Sequence, residues 1–123
     1  GVIFNLKECA LVLDEMGIQR TKMIASGGAA KGVTWKQIQA DILEMPVYTT
    51  KTEEEACQGA AILAAVGCGM YRDIKEACSR IVKINDCPVE PVTEHVKRYR
   101  EQQALFRELY LKVKDLYPRL KTE

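Results

Sequence analysis

The sequence predicts an α/β fold, rich in helix, built around a short parallel strand pair. Three observations carry this. The short apolar run Met23-Ile24-Ala25 empties into Gly27-Gly28, and a helical pattern begins near Val33. A second short run, Pro46-Val47-Tyr48-Thr49, comes after that helix. Two strands joined through a helix imply a right-handed crossover and parallel pairing.

The first element is a helix. Leu6, Cys9, Ala10, Leu13 and Met16 recur at helical spacing, with Gly17 at the expected C′ position. No N-cap is visible for this helix, as if the chain began inside an element. Thr21 to Ala25 reads as the first strand. Trp35, Ile38, Ile42 and Met45 mark the second helix, stopped by Pro46. After the second strand, Thr52 and Glu55 have capping-box spacing for a helix from Glu53 to about Val66. Its Ala56, Cys57, Gly59, Ala60, Ala61, Ala64 and Ala65 are small, which suits close approach to a sheet or a neighbouring helix. Gly67-Cys68-Gly69 ends it. Asp73 and Glu76 suggest a second capping box for a short helix to about Val82. Residues 85–91 read as a loop, and a long helix runs over 93–117, closed by Pro118. A two-stranded parallel sheet does not stand alone, because parallel sheets need several strands and cover on both faces. The expectation is therefore a C-terminal piece of a larger α/β protein.

Composition excludes several classes. The chain has 123 residues, 47% hydrophobic and 28% charged, which suits one soluble globular domain at most. Its formal net charge of +1 lacks the basic excess of a nucleic-acid surface. No apolar run approaches the roughly 20 residues of a membrane span. Cys9, Cys57, Cys68, Cys78 and Cys87 are irregularly spaced, and His95 is the one histidine. That pattern disfavours zinc and a disulfide scaffold, and fits reduced thiols in a cytoplasmic protein.

The glycine turn carries the functional signal. Glycine has no Cβ, so backbone N–H groups can approach an anion closely, and a helix N-terminus adds positive potential. The chain lacks both the P-loop and the Gly-x-Gly-x-x-Gly dinucleotide fingerprint. The longer pattern is more specific. Ser26-Gly27-Gly28-Ala29-Ala30-Lys31 leads through Trp35, Gln37 and Ala40-Asp41 to Pro46-Val47, then to Glu54-Glu55-Ala56-Cys57-Gln58-Gly59-Ala60-Ala61. This run resembles the C-terminal nucleotide-binding domain of the FGGY family of carbohydrate kinases, xylulokinases in particular. Members carry a Gly-Gly-Gly-Ala-Lys/Arg-Ser run ahead of Trp-x-Gln and Ala-Asp, then a helix with Glu-Ala, three residues, Gly-Ala-Ala. The likeness covers nearly the whole chain.

The resemblance implies a ribonuclease-H-like, actin-like ATPase fold, of which residues 1–123 are the C-terminal part of the ATP-binding domain. It implies transfer of the ATP γ-phosphate, with Mg²⁺, to a sugar hydroxyl, the sugar being xylulose-like. It implies a homodimer as a possible assembly of the full-length protein. Gly27 and Gly28 then line the phosphate side of ATP, with Ala29 in the place of a third glycine. Gly32 stands about one turn into the helix, near adenine, where members carry Ser or Asn. A glycine there costs about 1 kcal/mol of helix propensity against Ala. Backbone contact to phosphate tolerates both departures, whereas Gly32 brings no polar side chain to the base. The catalytic Asp, the sugar pocket, the first phosphate loop and the metal site belong to sequence upstream of this chain, so the fragment alone is expected to be inactive. A second expectation is a non-enzymatic α/β interaction module that has lost nucleotide binding.

Other residues carry less. Lys31 either balances phosphate charge or is a solvated lysine at a helix start. Trp35 reads as core packing before adenine platform, and Asp41 as structural before catalytic. His95 reads as a surface or cap residue without a partner. Glu53-Glu54-Glu55 places favourable charge in a first helical turn. Val96, Tyr99, Gln103, Phe106, Tyr110, Val113 and Tyr117 form a 3-4 series. One polar break, bulky aromatics and only about three heptads favour packing on the parent domain over a coiled-coil seam.

Overall fold

The structure is a computed structural model and describes residues 1–52 and 54–120. In chain order it runs α1 (Val2–Glu15), β1 (Met23–Ala25), a 3-10 turn (Gly28–Ala30), α2 (Val33–Leu43), β2 (Val47–Thr49), α3 (Glu55–Gly67), α4 (Ile74–Ile81) and α5 (Thr93–Val113), which continues as a 3-10 stretch (Lys114–Leu120).

The strands pair in parallel, with Met23 opposite Val47, Ile24 opposite Tyr48 and Ala25 opposite Thr49. Residues 85–91, expected as plain loop, also guard the sheet. Antiparallel bridges from Ile84 to Thr50 and from Val89 to Val47 cover the second edge of β2. The edge of β1 away from β2 pairs with no strand among the described residues, and Ile24 stays 44% exposed.

One core joins α1 to α2. Ile3, Ala10, Ile42, Leu43 and Met45 are buried together, with Phe4, Met23, Trp35, Ile38 and Tyr99 packed around them. Trp35 is thus a packing residue. A second cluster, Ala25, Ala40 and Val47, seats α2 on the strands. The 3-4 series of α5 turns towards the same body. Phe4 makes an edge contact with Tyr99 and a tilted one with Phe106, at centroid distances of 6.2 and 5.4 Å. Arg107 pairs with Glu8 at 2.7 Å, and Arg100 pairs with Glu44.

Local rules explain most boundaries. α1 ends at Gly17, whose φ of 79° admits glycine readily. The Gly17 N–H donates to Asp14 and the Ile18 N–H to Leu13, a Schellman closure. Gly69 closes α3 in the same way. α4 starts as expected, with Asp73 accepting the Glu76 N–H at 2.8 Å, while the Glu76 carboxylate accepts the Arg72 N–H at 3.0 Å.

Several expectations need correction. α2 ends at Leu43, and Glu44 takes the left-handed conformation (φ 59°) before Pro46. Lys7 and Arg100 both pair with its carboxylate there. The α-helix of α5 stops at Val113, short of Tyr117, and Pro118 sits inside the 3-10 stretch. Proline has no N–H and clashes with the carbonyl four residues back, so the α-helical winding is lost by Lys114. The capping box at α3 does not form: Glu54 is the N-cap without a side-chain bond, and Thr52 Oγ1 only accepts the Glu54 N–H at 3.4 Å. Glu53 lies outside the described residues. The small face of α3 is largely exposed, Ile62 being its one buried residue; α3 packs on α4. None of the five cysteines is bridged.

Candidate functional site

In open α/β sheets, ligands sit outside the carboxyl ends of the strands. The cavity at that place here has a volume of about 430 Å³. Its walls come from the turn after β1 (Gly27, Ala30, Lys31), from α2 (Lys36), from the end of β2 onward (Thr49, Thr50, Lys51, Thr52), from α3 (Glu55) and from Asn85. The lining is polar. Among the described residues three lysines and one carboxylate line the cavity, which favours an anionic ligand.

Gly27 and Gly28 do different work. Gly27 adopts φ 67° and ψ −157°, a region essentially reserved for glycine. It turns the chain out of β1 and into the cavity wall. Gly28 begins the 3-10 turn with ordinary backbone, and a Cβ there would meet nothing within 4 Å. Its small size therefore serves no contact inside the protein. Ala29 is the middle residue of that turn. The first N–H groups of such a turn have no partner inside it.

Gly32 corrects an expectation. It is the N-cap of α2, with φ −79° and ψ 117°, not a residue one turn inside the helix. Its carbonyl accepts the Lys36 N–H at 3.0 Å. Helix-interior propensity therefore does not apply to it. Gly32 does not line the cavity; Lys36, one turn later, does.

Glu55 enters the site from the far side. Its Oε1 accepts the Gly27 N–H at 3.3 Å and the Thr50 hydroxyl at 2.9 Å. Hydrogen bonds from its own backbone N–H, from Thr50 and from Gly27 hold its carboxyl below the ordinary carboxylate range, helped by the Lys31 charge. Asn85 braces the opposite wall, donating from Nδ2 to Thr49 Oγ1 at 2.7 Å and to the Thr50 carbonyl at 3.1 Å. Sequence reasoning missed Ala30, Lys36, Thr49, Thr50, Lys51, Thr52, Asn85 and the place of Glu55 in this wall. The signal available was position alone, since Thr49, Thr50 and Lys51 close the second strand.

Asp41 and His95 lie elsewhere, at the other end of α2. Asp41 is 1% exposed. Its Oδ1 accepts the Gln37 side-chain amide and the Val92 N–H, both at 2.8 Å. His95 Nδ1 lies 2.9 Å from Oδ2, so the expected partnerless histidine has one. Val92 is the N-cap of α5. Asp41 thus anchors the start of α5 and is a structural residue.

Comparisons with known proteins identify the family. The model of the FGGY family of carbohydrate kinases, C-terminal domain, matches residues 1–68. The chain is 31% identical over 122 residues to the xylulose kinase of Bacillus subtilis strain 168, covering 99% of this chain and 24% of that protein. It is 31% identical over 110 residues to the autoinducer-2 kinase of Yersinia pestis strain Pestoides F, covering 89% and 21%. In fold it is similar to a ligand-bound xylulose kinase from Lactobacillus acidophilus, with a TM-score of 0.84 and 24% identity over 98% of this chain and 24% of that one. The chain thus spans about a quarter of these relatives' length, and its helix-rich body with a parallel strand pair is part of the actin-like ATPase fold of sugar kinases. From residues 1–68 and from its length-wide identity to these kinases, the chain belongs to the FGGY family of carbohydrate kinases, matching the family's C-terminal domain.

Proposed function

We propose that this chain forms the nucleotide-facing wall of a sugar kinase that moves the ATP γ-phosphate to a hydroxyl of a xylulose-like sugar. In this reading residues 1–123 are the C-terminal part of the ATP-binding domain of a cytoplasmic enzyme. The observation that carries it is the polar cavity at the carboxyl ends of β1 and β2, with a glycine turn and three lysines in its wall. Backbone N–H groups of residues 27–29 face the phosphates, and Lys31, Lys36 and Lys51 balance their charge. Phosphoryl transfer depends on positioning and on spreading charge, and these residues supply both for the donor.

The residues present fit a nucleotide better than a metal. Among the described residues no group of three His, Cys, Asp or Glu side chains converges to hold an ion. Mg²⁺ therefore has no ligand set among them and would arrive with the phosphates. The catalytic base, the sugar pocket and most metal contacts belong to the remainder of a kinase of the relatives' length, so the chain alone phosphorylates nothing.

Calorimetric titration of Mg-ADP into the complete protein tests the reading. Saturable one-site binding that pyrophosphate competes away is the expected result. No heat of binding at millimolar Mg-ADP would leave the interaction-module expectation in its place.

A further inference from the structure

The Glu55 carboxylate sits in an unusual place for a phosphate pocket. It lines the cavity, takes the Gly27 N–H at 3.3 Å, and holds the Thr50 hydroxyl at 2.9 Å. Gly27 lies just past β1 and Thr50 just past β2, so this one oxygen bridges the carboxyl ends of both strands. The surrounding charge is basic, from Lys31, Lys36 and Lys51. Lys51 also pairs with Asp86 at 3.6 Å in an exposed position, and among the described residues Glu55 is the carboxylate in the cavity wall. A phosphate oxygen seeks the same donors: a backbone N–H at a glycine turn, a hydroxyl and nearby ammonium groups.

We propose that Glu55 is an internal anion seated where a nucleotide phosphate binds, and that its displacement sets the nucleotide affinity of the pocket. The proposal rests on the nucleotide reading above. Before phosphate enters, Glu55 satisfies the Gly27 N–H and neutralises part of the lysine charge. When phosphate enters, Glu55 withdraws into solvent, and two like charges are kept from sharing one set of donors. The residue is half-buried at the first position of α3, where such a movement needs side-chain rotation only.

Glu55→Gln keeps an oxygen acceptor for Gly27 and Thr50 and removes the charge. Mg-ADP, pyrophosphate and adenosine are titrated separately into the wild-type and Glu55→Gln complete proteins. Mg-ADP and pyrophosphate should bind about three- to tenfold tighter to the variant, the scale of one ordinary hydrogen bond, with adenosine unchanged. Glu55→Asp keeps the charge but shortens its reach by one methylene, and should fall between the two. Mg-ADP that binds wild type, and binds Glu55→Gln equally or more weakly, overturns the proposal and leaves the nucleotide reading standing. A Glu55→Asp protein weaker than wild type overturns it in the same way. Pyrophosphate that tightens while neither protein binds Mg-ADP supports the anion seat and overturns the nucleotide reading instead.

Discussion

The two ends of α2 are built to opposite plans. At its carboxyl end Ala40, Asp41, Ile42 and Leu43 are 0–7% exposed. Ile42 and Leu43 pack on α1, Ala40 packs on the strands, and Asp41 ties down the start of α5. At its amino end Gly32 caps the helix with no side-chain bond and Val33 is 75% exposed. The chain there runs into the 3-10 turn and the polar cavity. One rigid helix thus carries an anchor and a site about three turns apart. Packing at the anchor lets the site end be small, polar and loosely covered without loss of position. Substitutions at the anchor should therefore move stability, and substitutions at the site end should move binding.

The largest effect belongs to the anchor. Asp41→Ala removes the acceptor for the Gln37 amide, the Val92 N–H and His95 together. Losing three hydrogen bonds to one buried carboxylate puts the cost at about 2–4 kcal/mol. Urea unfolding should show the midpoint falling with little change in slope. A loss under about 0.5 kcal/mol, the scale of an ordinary surface substitution, would mean that the anchor lies elsewhere.

Gly27→Ala comes next, and it tests whether the site end has one stiff point. An L-residue forced to φ 67° and ψ −157° costs about 1–3 kcal/mol. The added Cβ itself meets nothing within 4 Å, so the cost is backbone strain alone. Thermal unfolding of Gly27→Ala beside Gly28→Ala separates the two glycines, and equal midpoints would contradict the assignment.

Acid sharpens the comparison at the anchor. Hydrogen bonding to Arg100, with a further bond from Lys7, holds Glu44 below its ordinary value of 4.5. Arg107 does the same for Glu8. A folded value below the unfolded one means stability that is present above about pH 4.5 and lost as pH falls through the folded value. Both pairs are partly solvated, so the effect is modest. The Glu8→Gln, Glu44→Gln double variant should be slightly less stable at pH 7. It should also lose less on acidification below pH 4.5. A parallel acid profile would rule out these pairs as the source.

The smallest effect concerns Gly32. At an N-cap, Ser is better than Gly by a few tenths of a kcal/mol, and Ala is worse than either. Gly32→Ser should raise the melting temperature slightly and Gly32→Ala should lower it. The order reverses what a helix-interior glycine would give, so a stabilising Gly32→Ala would return position 32 to the helix.

Much of this was legible in the sequence because short-range chemistry decided it. Gly17 closes α1, Asp73 and Glu76 start α4, and the period-3.6 pattern finds α2 and α5. The parallel pairing came from strand, helix and strand in that order. What stayed hidden depends on contacts across the chain. Thr52 and Glu55 have capping-box spacing, yet Glu55 is drawn away to Gly27, 28 residues earlier in sequence. His95 finds Asp41 from 54 residues away. Gly32 was misplaced because the 3-10 turn at Gly28–Ala30 takes up the residues that an uninterrupted helix would have used. In the cavity wall, Gly27 was found from its type, whereas the wall from Thr49 to Thr52 needed the sheet's register.

The most direct test of the account is Gly28→Val, read for stability and for kinetics on one protein. The backbone at Gly28 is ordinary and its Cβ position is open, so the fold should hold, with an unfolding midpoint close to wild type. On the proposed phosphate role of the turn, a β-branched side chain at this position obstructs the approach of phosphate to its N–H groups. In the complete protein the ATP KM should therefore rise about tenfold or more, the scale of roughly 1.4 kcal/mol of lost binding, with the sugar KM nearly unchanged. A folded Gly28→Val protein with an unaltered ATP KM would contradict the phosphate role of the glycine turn.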